Sequence, residues 1–266
     1  VIQDNLVREI TASQVSEEGF DQVIDGEGKT AMPGLVDAHV HLGCFFPSTN
    51  QLDYAIAGSA AVAKKLLYQG ITTVRDAGGV VQGLKRAFDE RLLEGPRIYP
   101  SNSCITQTCG HGDDDLAHAR RDIQFRTPSF SVLADGVDEM IRAVREQFYK
   151  GASQIKIMAG GGCSSEHDPI PTVQYSLGEM RAAVEAARDY GTYVMAHLYT
   201  APSMMRAAKA GVKSFEHAHM MDEEAARAIQ EKGIFVAPMP QFNKVNKKVP
   251  ARLSKKGMMV REREAT

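Results

Sequence analysis

From Leu35 onward the chain alternates between short runs rich in β-branched and aromatic residues and longer stretches of helical pattern. The β-rich runs fall near 35–42, 72–77, 97–105, 154–159, 193–199, 214–219 and 234–239, seven candidate strands separated mostly by helical sequence. Strands that alternate with helices are joined by right-handed crossovers and therefore run parallel. Seven or eight such units favour a closed barrel over an open sheet. A glycine follows nearly every helical stretch, at Gly70, Gly95, Gly151, Gly191, Gly211 and Gly233, where a left-handed residue is wanted. Ser176-Leu-Gly-Glu179 reads as a capping box, and Asp222 as the cap of the helix after it. No G-x-G-x-x-G follows the first strand, which argues against a dinucleotide-binding sheet.

Residues 1–30 break this rhythm. They read as short strands and turns, with Gly26 and Gly28 as turn residues, and form a small β layer of their own, so that the chain divides into 1–33 and 34–266. At 266 residues with 43% hydrophobic content, a substantial core is available. A formal net charge of −2 leaves no electrostatic footprint for nucleic acid or an anionic membrane, and no apolar run is long enough to cross a bilayer. The expected partner is a small-molecule or dipeptide substrate. Cys44, Cys104, Cys109 and Cys163 contain no CxxC pair, which suits reduced thiols in the cytoplasm, and the N-terminus lacks the pattern of a signal peptide.

Chemistry gathers at the ends of the candidate strands. Pro33-Gly34 turns the chain into the first of them, which ends in His39 and His41, and residues i and i+2 of a strand share a face. Two neutral imidazoles so placed are good ligands for a divalent metal, although a lone His-x-His is as readily a pair of ordinary histidines. Lys156 lies between isoleucines on the fourth strand, where it is either a snorkelling lysine or an amine of lowered pKa that can be modified or act as a base. His197 ends the fifth strand and His217 the sixth. Histidines at three strand ends and a lysine on a fourth would converge on one barrel mouth, and a shared metal site explains that better than coincidence. Two long loops, 106–134 and 160–175, follow strand ends on the same face. His111 and Tyr199 point toward the same mouth and can donate to a carboxylate or carbonyl. Asp76 suits a supporting role, orienting a ligand histidine or capping a turn, and His118, His167 and His219 read as surface or supporting residues.

The motifs Pro33-Gly-Leu-Val-Asp-Ala-His-Val-His41, Gly70-Ile-Thr-Thr-Val-Arg-Asp76, Gln154-Ile-Lys-Ile-Met158, Ala196-His197 and Glu216-His217-Ala218 resemble the amidohydrolase superfamily over the whole chain. Thr106-Gln-Thr-Cys-Gly-His111-Gly-Asp113, Ala196-His-Leu-Tyr-Thr200 and the 160–175 loop are similar to its imidazolonepropionase-related branch, which includes Xaa-Pro dipeptidases (prolidases), arginine carboxypeptidases and ochratoxin-hydrolysing amidases. The resemblance implies an α/β fold, a (β/α)8 TIM-type barrel preceded by part of a small β-sandwich. It implies two zinc ions, one held by His39 and His41 and the other by His197 and His217, bridged by a carbamate on Lys156. A hydroxide between the metals would attack the amide of a dipeptide or N-acyl amino acid, with Lys156, His197 and His217 as the catalytic set and His111 and Tyr199 gripping substrate. The alternatives are an imidazolone-like cyclic amide as substrate, or a truncated, non-catalytic metal-binding fragment. The family's metal-binding aspartate on an eighth strand, also its proton shuttle, has no counterpart before Thr266. A barrel stopping after strand seven would leave strands one and seven with bare edges, uncover Val36, Val40, Ile234 and Val236, and favour self-association into a homo-oligomer.

Overall fold

The computed structural model describes residues 1–4, 6–13, 15–44, 52–113, 130–163 and 168–239. The chain divides into two compact units, Val1–Pro33 and Gly34–Thr266. In the first, β1 (Ile2–Gln3) pairs antiparallel with β2 (Leu6–Val7), joining Ile2 to Val7 and Gln3 to Leu6. Every described residue of this unit is exposed, so the β layer expected there has no core of its own.

In the second unit every pairing between the described strands is parallel. β3 (Leu35–Val40), β4 (Ile71–Asp76) and β5 (Arg97–Pro100) form one sheet in that order. The other sheet runs β11 (Phe235–Ala237), β10 (Ser214–Met220), β9 (Val194–Thr200), β8 (Ile155–Met158), β6 (Cys104–Thr106) and β7 (Ser131–Leu133). Helices Leu52–Tyr68, Gln82–Asp89, Gly136–Tyr149, Leu177–Asp189, Ala201–Ala210 and Glu223–Glu231 alternate with the strands. The fold is thus α/β, and its strand progression is that of a (β/α) barrel open between β3 and β11, each of which has a single strand partner among the described residues.

The expected third strand, 97–105, is two strands. Ser101, Asn102 and Ser103 form a buried polar bend between β5 and β6, with Asn102 in the left-handed region at φ 58°. The Asn102 amide donates to Gln147 O at 3.1 Å and its Oδ1 accepts from Gln82 Nε2 at 2.9 Å, so the bend is satisfied internally and passes the chain from one sheet to the other. β7 lies within 106–134, expected from sequence as a loop; three residues are too few to show a period, and only pairing with β6 makes them a strand.

Strands β8 and β9 are buried along their whole length, which the alternation of their side chains explains. Ile155, Ile157, Val194, Ala196 and Leu198 join the large core shared with the helices. Lys156, Met158, Met195, His197 and Tyr199 therefore occupy the opposite face. A smaller core joins Val40, Leu42, Val74, Val81, Leu84 and Ile98.

Two sequence expectations need correction. Val40 and Ile234 are buried, because they pack into the small and the large core respectively, whereas Val36 is exposed and Val236 only partly so. Gly70, Gly151, Gly191, Gly211 and Gly233 do take positive φ after helices, but Gly95 does not: Arg91 takes the left-handed turn at φ 59°, and Gly95 is needed because a Cβ there would lie 2.3 Å from the Phe88 ring. Cys109 is exposed while Cys104 and Cys163 are buried, and none of these three is in a disulfide. Among the described residues no helix is long and apolar enough to cross a membrane.

The capping box forms as read, with Ser176 Oγ accepting from Glu179 N at 3.3 Å and Glu179 Oε2 accepting from Ser176 N at 2.8 Å. Asp222 caps the helix after it through Ala225 N at 2.8 Å. Ser176→Ala is expected to cost about 1 kcal/mol, seen as a lowered denaturant midpoint with an unchanged slope.

Candidate metal centre

His39 is the penultimate residue of β3 and His41 follows its end, and the two rings approach each other, Nε2 to Nε2, at 3.2 Å. Their outer nitrogens are both held. His41 Nδ1 lies 3.1 Å from Gly78 O and His39 Nδ1 lies 2.5 Å from Glu216 Oε2. A carbonyl and a carboxylate only accept, so each Nδ1 carries the proton and, in a neutral ring, each Nε2 offers a lone pair. Burial, with the nearby Lys156 ammonium next in weight, holds both imidazoles well below their ordinary pKa and so in the neutral form.

His197, on β9, lies across the same space, its Nε2 donating to Gly161 O at 3.2 Å, which leaves Nδ1 as its lone-pair nitrogen. His217 reaches the group by a different route. Strict alternation on β10 would give it the face of Phe215, which packs into the helix-side core. Instead His217 and Ala218 take left-handed conformations, φ 71° and 49°, and the register with β9 shifts between His217 and Met220. The bulge turns the imidazole inward, to ring-centre distances of 4.9 Å from His39 and 4.7 Å from His197. Such strain in a non-glycine pair is expected where a side chain must be aimed. Burial also pushes the His197 and His217 pKa values well down, aided by neighbouring histidines and Lys156.

Lys156, only 1% exposed, is among the largest fully buried side chains. Its Nζ donates a long 3.4 Å hydrogen bond to Ala77 O, and burial lowers its pKa. Asp76 is also fully buried and accepts from Leu42 N at 2.8 Å and Gly78 N at 3.1 Å. It thereby pins both the turn after His41 and the residue whose carbonyl holds His41, and burial raises its pKa to about 7.

Two residues carrying much of this geometry stood in the quoted motifs without being singled out. Glu216 is completely buried and accepts from Arg75 Nη2 through Oε1 at 2.8 Å and Oε2 at 3.0 Å, and from Ser214 Oγ at 2.7 Å. Arg75 also donates from Nε to Ala38 O at 2.6 Å and from Nη1 to Ser214 Oγ at 2.9 Å. A cleft of about 1000 Å³ opens beside them, lined by His39, Arg75, Tyr193, Ser214 and residues of β3 and β11.

The candidate substrate contacts lie on the other side of His197. His111 stacks on His197 with ring centres 4.1 Å apart and planes 14° from parallel. Its Nδ1 lies 2.9 Å from Asp168 Oδ2, an oxygen that also accepts from Gly162 N at 2.7 Å. Gly162 lies directly against the ring, since a Cβ there would lie 2.0 Å from His111 Cε1. Tyr199 stacks on His217 at 5.2 Å, with its hydroxyl 3.6 Å from Cys163 Sγ. His219 belongs to the same pile, 5.6 Å from Tyr199, and is half-buried, not a surface histidine. Asp168, missed in the sequence, is the partner that fixes His111. His118 and His167 lie outside the described residues.

Two nitrogens each about 2.0–2.1 Å from one tetrahedral ion stand about 3.3–3.4 Å apart. The facing lone pairs of His39 and His41 are 3.2 Å apart and repel unless a cation or proton lies between them, so this pair fits. Among the described residues no three His, Cys, Asp or Glu side chains close on one point, and the remaining donors are the paired His197 and His217 and the Lys156 amine.

The histidine shifts have a consequence for the metal-free chain. Burial keeps the four imidazoles neutral in the folded state, while in the unfolded chain they take up protons below their ordinary value of 6.5. Their contribution to stability is therefore full above about pH 6.5 and is lost as pH falls further. Asp76 acts in the opposite sense: its pKa is raised from 3.8 to about 7, so its contribution is lost as pH rises across that window. The lowered histidines outweigh Asp76 and predict acid destabilisation, up to about 1.4 kcal/mol per pH unit for each histidine that stays neutral. Urea unfolding at pH 7.5 and 5.5 checks this, and an equal or higher midpoint at pH 5.5 would contradict it.

Comparison with known proteins agrees with this architecture. The family pattern described as "Amidohydrolase family" matches residues 30–261. Ochratoxinase from Aspergillus niger is 34% identical over 221 residues, covering 76% of this chain and 46% of that enzyme, so the chain spans about half the length of this relative. A solved prolidase structure in complex with N-methylphosphonate-L-proline is 39% identical with a TM-score of 0.83, covering 96% of this chain and 66% of the other. A Xaa-Pro dipeptidase structure with bound methionine is 30% identical with a TM-score of 0.71, covering 84% and 59%. With the family pattern spanning nearly the whole of the parallel α/β unit that carries these histidines and Lys156, the chain belongs to the amidohydrolase family.

Proposed function

We propose that this chain carries the metal-binding half of a hydrolase that cleaves the amide bond of a small peptide-like substrate, an Xaa-Pro or other dipeptide or an N-acyl amino acid. The observation that carries the reading is the convergence of four neutral imidazoles from three strands, with the buried Lys156 amine on a fourth. His39 and His41 would hold one zinc ion, His197 and His217 a second, and a carbamate on Lys156 would join them. Bound there, the ions would polarise the scissile carbonyl and make a water molecule acidic enough to act as nucleophile.

The chain's own residues supply the rest. A lysine whose pKa is lowered by burial has a larger fraction of free amine, the form that adds carbon dioxide, and the addition releases a proton and replaces a buried cation with an anion. His111, resting against His197 and Gly162, would grip the substrate's carboxylate or amide oxygen in its doubly protonated form, Nδ1–H held by Asp168 and Nε2–H donating to the substrate. Tyr199 would donate from its hydroxyl to the same group. The similarity to a prolidase and a Xaa-Pro dipeptidase supports peptides as the substrate class.

The test is a panel of Xaa-Pro dipeptides, other dipeptides, N-acyl amino acids and an imidazolone ring, assayed after chelation and again after zinc and bicarbonate are restored. Turnover of the open-chain amides that depends on both additions is the expected result. Turnover indifferent to chelation, or confined to the ring, would contradict the reading.

A further inference from the structure

We infer that Glu216, locked by Arg75 and Ser214, is a positioning residue that fixes the tautomer of His39 and turns its Nε2 lone pair toward His41. The inference rests on the metal-centre reading proposed above and names what organises it. Both carboxylate oxygens of Glu216 are fully used. Oε1 accepts from Arg75 and Ser214, and Oε2 accepts from Arg75 and from His39 Nδ1. The acceptor facing His39 therefore cannot rotate away, and it is held by residues of two strands, Arg75 on β4 and Ser214 on β10. Arg75 adds a second restraint through Ala38 O, immediately before His39 in the chain. A structural ion pair would need only the guanidinium and the carboxylate. Here the carboxylate's second oxygen is spent on an imidazole whose other nitrogen faces His41 at 3.2 Å.

Glu216→Gln tests this because it nearly preserves shape and reverses one hydrogen bond. Oε1 takes the shorter bond from Arg75, 2.8 Å, and the one from Ser214, while Oε2 takes the longer bond from Arg75, 3.0 Å, and one from a ring that can switch tautomer, so the amide oxygen is expected at Oε1 and the NH₂ group at Oε2, at the cost of that longer bond. That group donates to His39 Nδ1 and moves the ring proton to Nε2, the nitrogen required for the metal. Zinc affinity, measured by competition with a chromophoric chelator, is expected to fall about 10–100-fold, the range for removing an outer partner of a metal-binding histidine. In the metal-free chain, ¹⁵N NMR should show His39 protonated on Nδ1 in the parent and on Nε2 in Glu216→Gln. Circular dichroism reports whether the variant folds. If it does not, Glu216→Asp, which withdraws the carboxylate by one methylene, is expected to weaken zinc binding while keeping the Nδ1 proton. Parental zinc affinity in a folded Glu216→Gln or Glu216→Asp chain, or an unchanged His39 tautomer in Glu216→Gln, would overturn the inference. A parent chain that binds no zinc would overturn the metal-centre reading instead, and the tautomer measurement would still decide the role of Glu216.

Discussion

Replacing Lys156 by methionine is expected to prevent binding of a metal pair and to lower kcat/KM by about 10²–10³-fold, the range for removing one preorganised electrostatic element of an active site. It should also make the metal-free chain more stable by about 1–4 kcal/mol, as when buried charged groups are replaced by apolar ones of similar volume. The two effects have one cause. Lys156 is 1% exposed between the fully buried Ile155 and Ile157, and its amine makes a long 3.4 Å bond to Ala77 O, a poor exchange for the water it has lost. Methionine fills the same volume without a polar atom to desolvate. Metal analysis after loading with zinc and bicarbonate reads the first effect and chemical denaturation in chelator reads the second. A variant that is less stable without metal, or one that still holds two ions per chain, would sink the assignment.

Gly162→Ala is expected to displace His111 and lower kcat/KM for substrates with a free carboxylate by about 10–100-fold, the equivalent of one charge-assisted hydrogen bond. Gly162 is not required for a left-handed turn; its role is steric. An added Cβ would lie 2.0 Å from Cε1 and 2.2 Å from Nδ1 of His111. The ring has no retreat, since His197 stacks on it at 4.1 Å and Asp168 holds its Nδ1 at 2.9 Å. Overpacking of this kind costs about 1–3 kcal/mol, so a folded variant with an altered site is the expected product. The discriminating measurement is the ratio of kcat/KM for free-acid and C-terminally amidated dipeptides, compared with His111→Asn and Tyr199→Phe. A ratio unchanged in all three variants would remove His111 and Tyr199 from substrate recognition. Metal content should stay at the parental level in Gly162→Ala.

What could be read in the sequence was whatever depends on neighbours a few positions apart. The pairing of His39 with His41 follows from the two-residue period of a strand, and the burial of Lys156 from the isoleucines on either side. The helix boundaries at Ser176 and Asp222 followed from capping chemistry that operates within one turn. The order of the α/β units was legible for the same reason, since each unit carries its own periodicity and punctuation.

The rest depended on groups brought together by the sheet. Glu216 meets His39 across 177 positions and Arg75 across 141, and Asp168 meets His111 across 57, and no local pattern encodes such distances. The break between β5 and β6 arises because a buried bend finds its hydrogen bonds on Gln82 and Gln147, and β7 exists only through its partner β6. His217 is the sharpest case: alternation along β10 would turn it toward the helices, and two left-handed residues with a register shift turn it into the site. The sequence alone determined which residue types stand at the strand ends, because period and capping are local properties. Only the tertiary structure decided which of those side chains face one another and in which tautomer, because that rests on long-range register and on backbone strain that the assembled fold alone can hold.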